Sequence, residues 1–253
     1  MLNPQHFKTR QQLQRLLCWP CMSDDVTGRF ELHVFVQPLD PPPAIVAAFQ
    51  QACASAPTSM KALLLQLDYV DRGFVSVLQS SRYVDGDLAA AVAAVQADAA
   101  LLRAAGLQVI REKVEATATN AGVPHSEREA EATSSSRYFE FHMLIDGRQR
   151  AIDDDDLGSL RSLSRSFAAR LARPVPLSFN ALKPSQRFLN LRAVGVGIEA
   201  ASAVVEELRA AVEASGLLEV KKVIAEYICF DSHRAVDNGW LEPLVEVQDA
   251  PAS

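Results

Sequence analysis

The sequence predicts an α+β fold in which one β-α-β-β-α-β unit is written twice. Strand and helix signals follow that order up to residue 117 and repeat it after residue 136. A Phe-Glu-x-His strand opens each copy, at Phe30–His33 and at Phe139–His142. This element order is that of the split βαβ, or ferredoxin-like, unit. We therefore expect a tandem duplication of a ferredoxin-like unit, with two antiparallel sheets that each carry helices on one face.

The first copy is predicted to span residues 29–117. Its opening segment alternates apolar and polar side chains, as a half-buried strand does, and Pro38 ends it. An Ala-rich helix follows the Asp85–Asp87 turn and stops at Gly106, a residue suited to a helix C-terminus. The predicted strands are 30–36, 60–69, 73–81 and 107–117, and the predicted helices are 44–54 and 88–105.

The second copy is predicted to span residues 137–242. The acidic run Asp153–Asp156 favours a helix start, because carboxylates stabilise the positive end of the helix dipole. The predicted strands are 137–145, 175–181, 187–194 and 217–230, and the predicted helices are 157–171 and 198–214. Outside the copies we expect an N-terminal extension at 1–28, a linker or a loop over a site at 118–136, and a tail at 243–253.

Composition narrows the class of protein. The 253 residues carry a formal net charge of -6, which argues against nucleic acid as a partner. No apolar run approaches the roughly 20 residues that span a bilayer, and the N-terminus lacks the apolar stretch of a secretory signal. Cys18 and Cys21 form a single C-x-x-C pair, which we interpret as reduced thiols in a cytoplasmic protein.

Side-chain parity indicates where a site lies. Because side chains alternate along a strand, Glu31 and His33 share one face while Leu32 and Val34 share the other. In the second copy Glu140 and His142 likewise lie opposite an apolar face. Helices cover one face of a ferredoxin-like sheet, so we expect the Glu and His side chains on the open face.

Other strands add polar groups to the same predicted open faces. These candidate ligand-binding residues are Asp68, Lys113, Glu115, Asn180, Arg192 and Glu226. If the two open faces meet, the groups converge in a cleft between the halves, where partial burial would shift their pKa values. The predicted partner is a small-molecule ligand in that cleft.

One chemistry that fits this set is acid–base catalysis. His33 and His142 would act as general acid and base on a phosphate ester, with Glu31 and Glu140 beside them and with Lys113 or Arg192 holding the anion. The chain resembles the two-histidine phosphoesterases, whose two-lobed fold carries one histidine-bearing strand in each lobe. The resemblance implies a hydrolase. That family has His-x-Thr or His-x-Ser, whereas Phe35 and Leu144 occupy the matching positions here.

Two alternatives remain open. A divalent metal is the one cofactor that these residue types suggest, with Glu31, His33, Glu140 and His142 as ligands. Alternate residues on one strand are about 6.5–7 Å apart, so one ligand from each half is easier to arrange than two from the same strand. The other alternative is a non-enzymatic module that binds a small anionic ligand.

A further resemblance covers most of the chain after residue 28. Four segments resemble motifs of a bacterial family that has a Phe-Glu-x-His strand and no assigned activity. They are Lys113–Ala116, Phe139–His142, Asp231–Ser232 and Gly239–Trp240.

Overall fold

The computed structural model describes residues 26–69, 71–146, 152–171, 174–181, 183, 185–214, 216 and 218–241. The predicted tail at 243–253, most of the N-terminal extension and the Cys18–Cys21 pair lie outside these residues. None of the helices in the described ranges combines the length and the apolar character that crossing a membrane requires.

The described chain is α+β, with eight strands and five α-helices, and apart from α3 these elements follow the predicted order. The strands are β1 (Thr27–Gln37), β2 (Lys61–Tyr69), β3 (Gly73–Asp87), β4 (Gln108–Thr117), β5 (Tyr138–Asp146), β6 (Leu177–Asn180), β7 (Gln186–Val194) and β8 (Glu219–Asp231). The helices are α1 (Pro43–Ser55), α2 (Leu88–Ala104), α3 (Glu127–Glu131), α4 (Asp154–Leu171) and α5 (Ile198–Ala214). A short 3₁₀ helix follows at Arg234–Asp237.

The predicted linker contains one element that we did not predict, the short helix α3. Ser126 accepts from the backbone N–H of Glu129, and the Glu129 carboxylate accepts from the N–H of Ser126 at 2.8 Å. This reciprocal pair is a capping box, whose Ser-x-x-Glu signature is visible in the sequence. It satisfies backbone donors that a helix of five residues leaves open.

All strand pairings are antiparallel, and the strands close a barrel in the order β1-β3-β2-β6-β7-β5-β8-β4. The expectation of two separate sheets was wrong. β2 pairs with β6, and β4 pairs with β8, so the edge strands of one half are covered by those of the other. Closure satisfies the backbone groups that two open sheets would leave unpaired along their edges.

The main hydrophobic core lies between the barrel and its helices. Phe30, Leu32 and Val34 of β1 belong to one buried cluster with Val95 and Leu102 of α2. The opposite face of each strand therefore points into the barrel. The open face that parity predicted is the barrel interior, and the side chains on it are enclosed by all eight strands.

Candidate functional site

The barrel interior holds a network of charged side chains. Eight of the ten predicted site residues take part in it: Glu31, His33, Lys113, Glu115, Glu140, His142, Arg192 and Glu226. Burying this many charges is costly unless each is paired, and here each one has an ionic partner.

The first group in the network is the Glu31–His33–Glu115 triad, formed by β1 and β4. The Nε2 atom of His33 lies 3.2 Å from Oε2 of Glu115 and 3.8 Å from Oε1 of Glu31. The Nδ1 atom of the same ring lies 3.0 Å from the carbonyl oxygen of Ser80. The Gln79 side-chain amide lies 2.7 Å from the same Nδ1 atom, so both partners of Nδ1 hold the ring with Nε2 toward the two carboxylates.

Two hydroxyl groups orient the outer carboxylate of this triad. Ser81 donates to Oε1 of Glu31, and Tyr83 donates to Oε2, each at 2.5 Å. Both donors lie on β3, directly beside β1. Glu31 therefore holds a fixed position although no cation is paired with it in the described structure other than the ring of His33.

The second group is the Glu140–His142–Glu226 triad, formed by β5 and β8. The Nε2 atom of His142 lies 3.2 Å from Oε2 of Glu226 and 3.9 Å from Oε2 of Glu140. Its Nδ1 atom donates to Oδ1 of Asn190 at 2.7 Å, and the Asn190 amide in turn donates to Ser178 at 3.0 Å. The two triads therefore share composition and strand positions, and the distances from each histidine Nε2 to its two carboxylates are nearly equal.

The two predicted anion holders are already paired with carboxylates. The Lys113 ammonium lies 2.7 Å from Glu115 and 2.6 Å from Glu140, which joins the two triads. The Arg192 guanidinium lies 2.6 Å from Glu140 and 2.6 Å from Asp237. These contacts weigh against the expectation that Lys113 and Arg192 hold a substrate anion, because their charges are compensated inside the protein.

The network shifts the pKa values of both histidines upward. Burial lowers the pKa of His33, but the charge and the hydrogen bond of Glu115 outweigh it and raise that pKa to about 9. Burial also lowers the pKa of His142, and the hydrogen bond and charge of Glu226 raise it to about 9. Without another ligand, both rings are protonated at neutral pH.

The carboxylates respond in two ways. Burial raises the pKa of Glu140, yet Lys113 and Arg192 hold it at about 2, and Lys113 similarly holds the pKa of Glu115 well below its usual range. Glu226 has no lysine or arginine partner among its principal influences. Burial and the charge of Glu115 raise its pKa to about 7, against the pull of His142. Glu226 can therefore exchange a proton near neutral pH.

Two predicted site residues are not part of the network. Asp68 lies on the outer face of β2, where Arg161 of α4 donates to both of its oxygens at 2.7 Å. Parity was wrong for β2 because both of its faces are apolar: Leu64 packs in the outer core, while Leu65 and Leu67 pack in a second cluster inside the barrel. Asn180 is half-buried at the end of β6, opposite Leu65 in register.

Several residues of the interior were missed as site candidates. Ser81 and Tyr83 share a face of β3 with Gln79, and this alternation of polar groups was a usable signal. Asp231 and Asp237 were not identified because they lie at the end of β8 and beyond it. Both bind the buried Arg111, which donates to Asp231 at 2.9 and 2.6 Å and to Asp237 at 2.7 Å through each of two nitrogens. These bonds hold the C-terminal segment over one end of the barrel.

The first triad has the donor set and the spacing of a metal site. One ligand atom from each of Glu31, His33 and Glu115 can be chosen so that all lie within 4.8 Å of one another. Around an ion with ligand distances of about 2.0–2.2 Å, neighbouring ligand atoms are about 3.0–3.5 Å apart. The 3.2 and 3.8 Å separations from the His33 nitrogen are close to that range. Two ligands from β1 can share an ion after all, because Glu31 bends toward the ring.

Comparisons with known proteins add little to this geometry. No protein-family model matches the chain, and no curated protein matches it. A search of solved structures finds a "Putative monooxygenase" from Fusobacterium nucleatum subsp. nucleatum, with a TM-score of 0.29 and 8% sequence identity, over 81% of this chain and 94% of that one. At that TM-score the likeness supports no inference about fold or activity.

Proposed function

We propose that this protein is a divalent-metal-dependent enzyme that acts on a small anionic molecule inside the barrel. The Glu31–His33–Glu115 triad would hold the ion, and Glu226 with His142 would move the proton. The observation that carries the proposal is the set of three ligand atoms within 4.8 Å of one another, with the imidazole and the outer carboxylate both oriented by further hydrogen bonds.

The barrel architecture belongs to the same proposal. We interpret the halves as two copies of one ferredoxin-like unit, because each has the strand order β2-β3-β1-β4 or its equivalent β6-β7-β5-β8. The matched Glu–His–Glu triads support this interpretation. We also retain a cytoplasmic location, which agrees with the free, buried thiols of Cys53 and Cys229.

Three protein ligands favour catalysis over a structural metal. Structural zinc sites are closed by four protein ligands, whereas catalytic sites use three and leave a position for water or substrate. An anionic oxygen is a natural occupant of that open position. The ion would thus hold the substrate anion, which is the role that we expected from the sequence for Lys113 or Arg192.

Glu226 is the best placed group to serve as acid and base. A general acid–base group works best when its pKa is near the working pH, and burial together with Glu115 raises the pKa of Glu226 to about 7. The two histidines suit that role less well as a pair. Both have pKa values of about 9, so at neutral pH neither ring is free to accept a proton.

Metal binding is the first test. Protein stripped with a chelator is titrated with Zn²⁺, Mn²⁺ and Co²⁺, while calorimetry measures stoichiometry and affinity. We expect one ion per chain. At a free concentration about 100 times the dissociation constant, the ion should add about 2.7 kcal/mol to the free energy of unfolding. A protein that binds none of these ions at millimolar concentration, and melts at the same temperature with and without them, contradicts the proposal.

Glu31→Gln and Glu226→Gln are the matched variants for this titration. Glu31→Gln removes a ligand and should abolish binding, while Glu226→Gln changes a carboxylate of the second triad and should retain it. With the ion bound, turnover of small phosphate esters and carboxylates should disappear in Glu226→Gln. Tight ligand binding without turnover of any member of that panel would instead indicate a non-enzymatic module.

A further inference from the structure

A second feature of the interior is a cavity at the barrel end covered by the C-terminal segment. Its volume is about 70 Å³. Apolar side chains form one part of its wall, among them Phe35, Leu67, Val77 and Trp240. The charged part is lined by ion-paired side chains: Arg111, Lys113, Glu115, Glu140 and Asp237. Because Glu115 also belongs to the first triad, the cavity adjoins the proposed metal site.

Trp240 is fixed in the wall of this cavity. Its backbone N–H donates to the carbonyl of Asp237 at 2.9 Å, and Arg111 and Arg192 both bind the Asp237 carboxylate. The side chain is 8% exposed. The C-terminal segment is therefore a structured wall of the barrel, held by two buried arginines.

Within the described part of the chain, no acceptor is bonded to the indole N–H of Trp240. Its Nε1 atom is buried and makes no hydrogen bond with any residue that the structure describes. A buried donor without a partner is costly, and tryptophan usually finds an acceptor when it is buried. Trp240 lines the cavity, so a ligand bound there is the candidate acceptor for this N–H.

The size and donors of the cavity define the class of ligand. A dry cavity of about 150 Å³ holds benzene, with six non-hydrogen atoms, so about 70 Å³ suits roughly three to five such atoms. The Trp240 N–H seeks an oxygen acceptor, and the Lys113 ammonium has three N–H donors for its two carboxylate partners. The side of the cavity formed by Phe35, Leu67 and Val77 is apolar, while Gln79, Ser178 and the ion-paired side chains line the other side.

We propose that this cavity binds a short-chain carbonyl compound, a carboxylate or a ketone, whose oxygen accepts from the Trp240 indole and whose carbon chain contacts Phe35 and Leu67. The cavity and its occupant stand on the geometry alone. That the occupant is the substrate rests on the proposed function, because Glu115 would link it to the ion.

The two tryptophans of the chain provide the test. Only Trp19 and Trp240 give indole N–H signals in a ¹⁵N–¹H correlation spectrum, and a Trp19→Phe variant assigns them. Chelator-treated protein is titrated with sodium acetate and, separately, with acetone, up to about 100 mM, since such small ligands bind weakly. We expect the Trp240 signal to move by at least 0.2 ppm along a saturable curve, while the Trp19 signal stays in place.

Cavity-filling variants supply the control. Val77→Phe should abolish the saturable shift, and Val77→Ile, a smaller change that keeps the fold, should weaken binding about tenfold. Saturation with acetate assigns a carboxylate, and saturation with acetone alone assigns a neutral ketone. If neither ligand gives a saturable shift of the Trp240 signal, or if the Val77 variants bind as the wild type does, the proposal is wrong and water is the only occupant. Because these titrations use metal-free protein, their outcome is independent of the metal titration.

Discussion

The two Glu–His–Glu triads occupy equivalent positions in the two halves, yet among the described residues only Glu31, His33 and Glu115 bring one ligand atom each within 4.8 Å of one another. The β1–β4 register pairs Glu31 with Glu115, and the β5–β8 register pairs Glu140 with Glu226 in the same way. The difference lies in the neighbours. On the strand next to Glu31 the paired residue is Tyr83, whereas the residue paired with Glu140 is Arg192. The residue paired with His33 is Lys113, whereas the residue paired with His142 is Ile224.

These two exchanges decide what each triad can bind. Arg192 and Lys113 each take one oxygen of Glu140, so this carboxylate is committed to internal ion pairs. In the described structure Glu31 accepts from two hydroxyl groups, which orient it without neutralising it, and it is paired with the His33 ring but with no lysine or arginine. A repeated motif thus supplies one site for an added cation and one site already closed by protein cations. Exchanging the neighbouring residues between the halves tests whether they cause this difference.

The largest effect is expected from Lys113→Ile, which places the residue of the second half in the first. Removing the ammonium leaves Glu115 and Glu140 buried without their shared partner, a change that typically costs about 3–5 kcal/mol. Urea unfolding at pH 7 measures it. The control Lys61→Met, at an exposed lysine on β2, should stay within about 0.5 kcal/mol of the wild type. A loss below about 1 kcal/mol in Lys113→Ile would show that the lysine does not hold the network together.

Tyr83→Arg makes the complementary exchange and should close the first triad. A guanidinium beside Glu31 repels a divalent ion, and we expect at least about a hundredfold loss of metal affinity, or about 2.7 kcal/mol. Tyr83 is half-exposed, so the fold should persist. Calorimetric metal titration measures the change. Unaltered affinity in this variant would mean that the choice of neighbour does not distinguish the two triads.

The face on which each strand side chain lies could be predicted from the sequence for some strands and not for others. Strand alternation is a local property, and it correctly placed Glu31, His33, Glu140 and His142 on one side of their strands. It failed for β2, where Leu64 and Leu65 make both faces apolar and the pattern offers no direction. Alternation also cannot reveal that the two halves close one barrel, because the pairing of β2 with β6 joins segments more than a hundred residues apart.

The partners within each triad were equally hidden. Glu115 faces His33 only because β4 pairs with β1 in one register, and a shift of one residue would turn the carboxylate outward. Alternation along β4 puts Arg111 on the same face as Lys113, but its two aspartate partners follow from the path of the C-terminal segment over the barrel end. Such long-range contacts depend on tertiary packing, and single-strand patterns carry no record of them.

The next effect concerns pH, and it tests the closed triad. The pKa of His142 is raised from 6.5 to about 9. The groups that face its ring are Glu226 on β8, Glu140 on its own strand, and Glu115 on β4. The folded state therefore holds the proton more tightly than the unfolded state. This contribution to stability is complete below about pH 6.5 and is lost as the pH rises through about 9.

Urea unfolding at pH 7 and pH 9.5 measures this contribution. The pKa of Glu226 is also raised, to about 7. The stability that its protonated form contributes is lost as the pH rises toward 7, so most of that loss lies below this window. We expect His142→Gln to reduce the pH-dependent loss by roughly 2 kcal/mol, since one unit of pKa shift corresponds to about 1.4 kcal/mol. His125→Gln, at an exposed histidine, should keep the wild-type slope. Equal slopes in His142→Gln and the wild type would contradict a protonated ring in the second triad.

The smallest expected effect comes from Tyr83→Phe, which removes one hydroxyl from the open triad. The tyrosine donates to Glu31, and loss of a group that orients a metal ligand typically costs about tenfold to a hundredfold in affinity. We expect the low end, about tenfold or 1.4 kcal/mol, because Ser81 still binds the other oxygen of Glu31. The matched control is Tyr227→Phe, whose hydroxyl bonds Thr133 away from the triads, and its metal affinity should equal that of the wild type. Metal titration of both variants separates the outcomes: identical affinities would show that Glu31 is held by Ser81 alone, and a loss in both would show that the effect does not pass through Glu31.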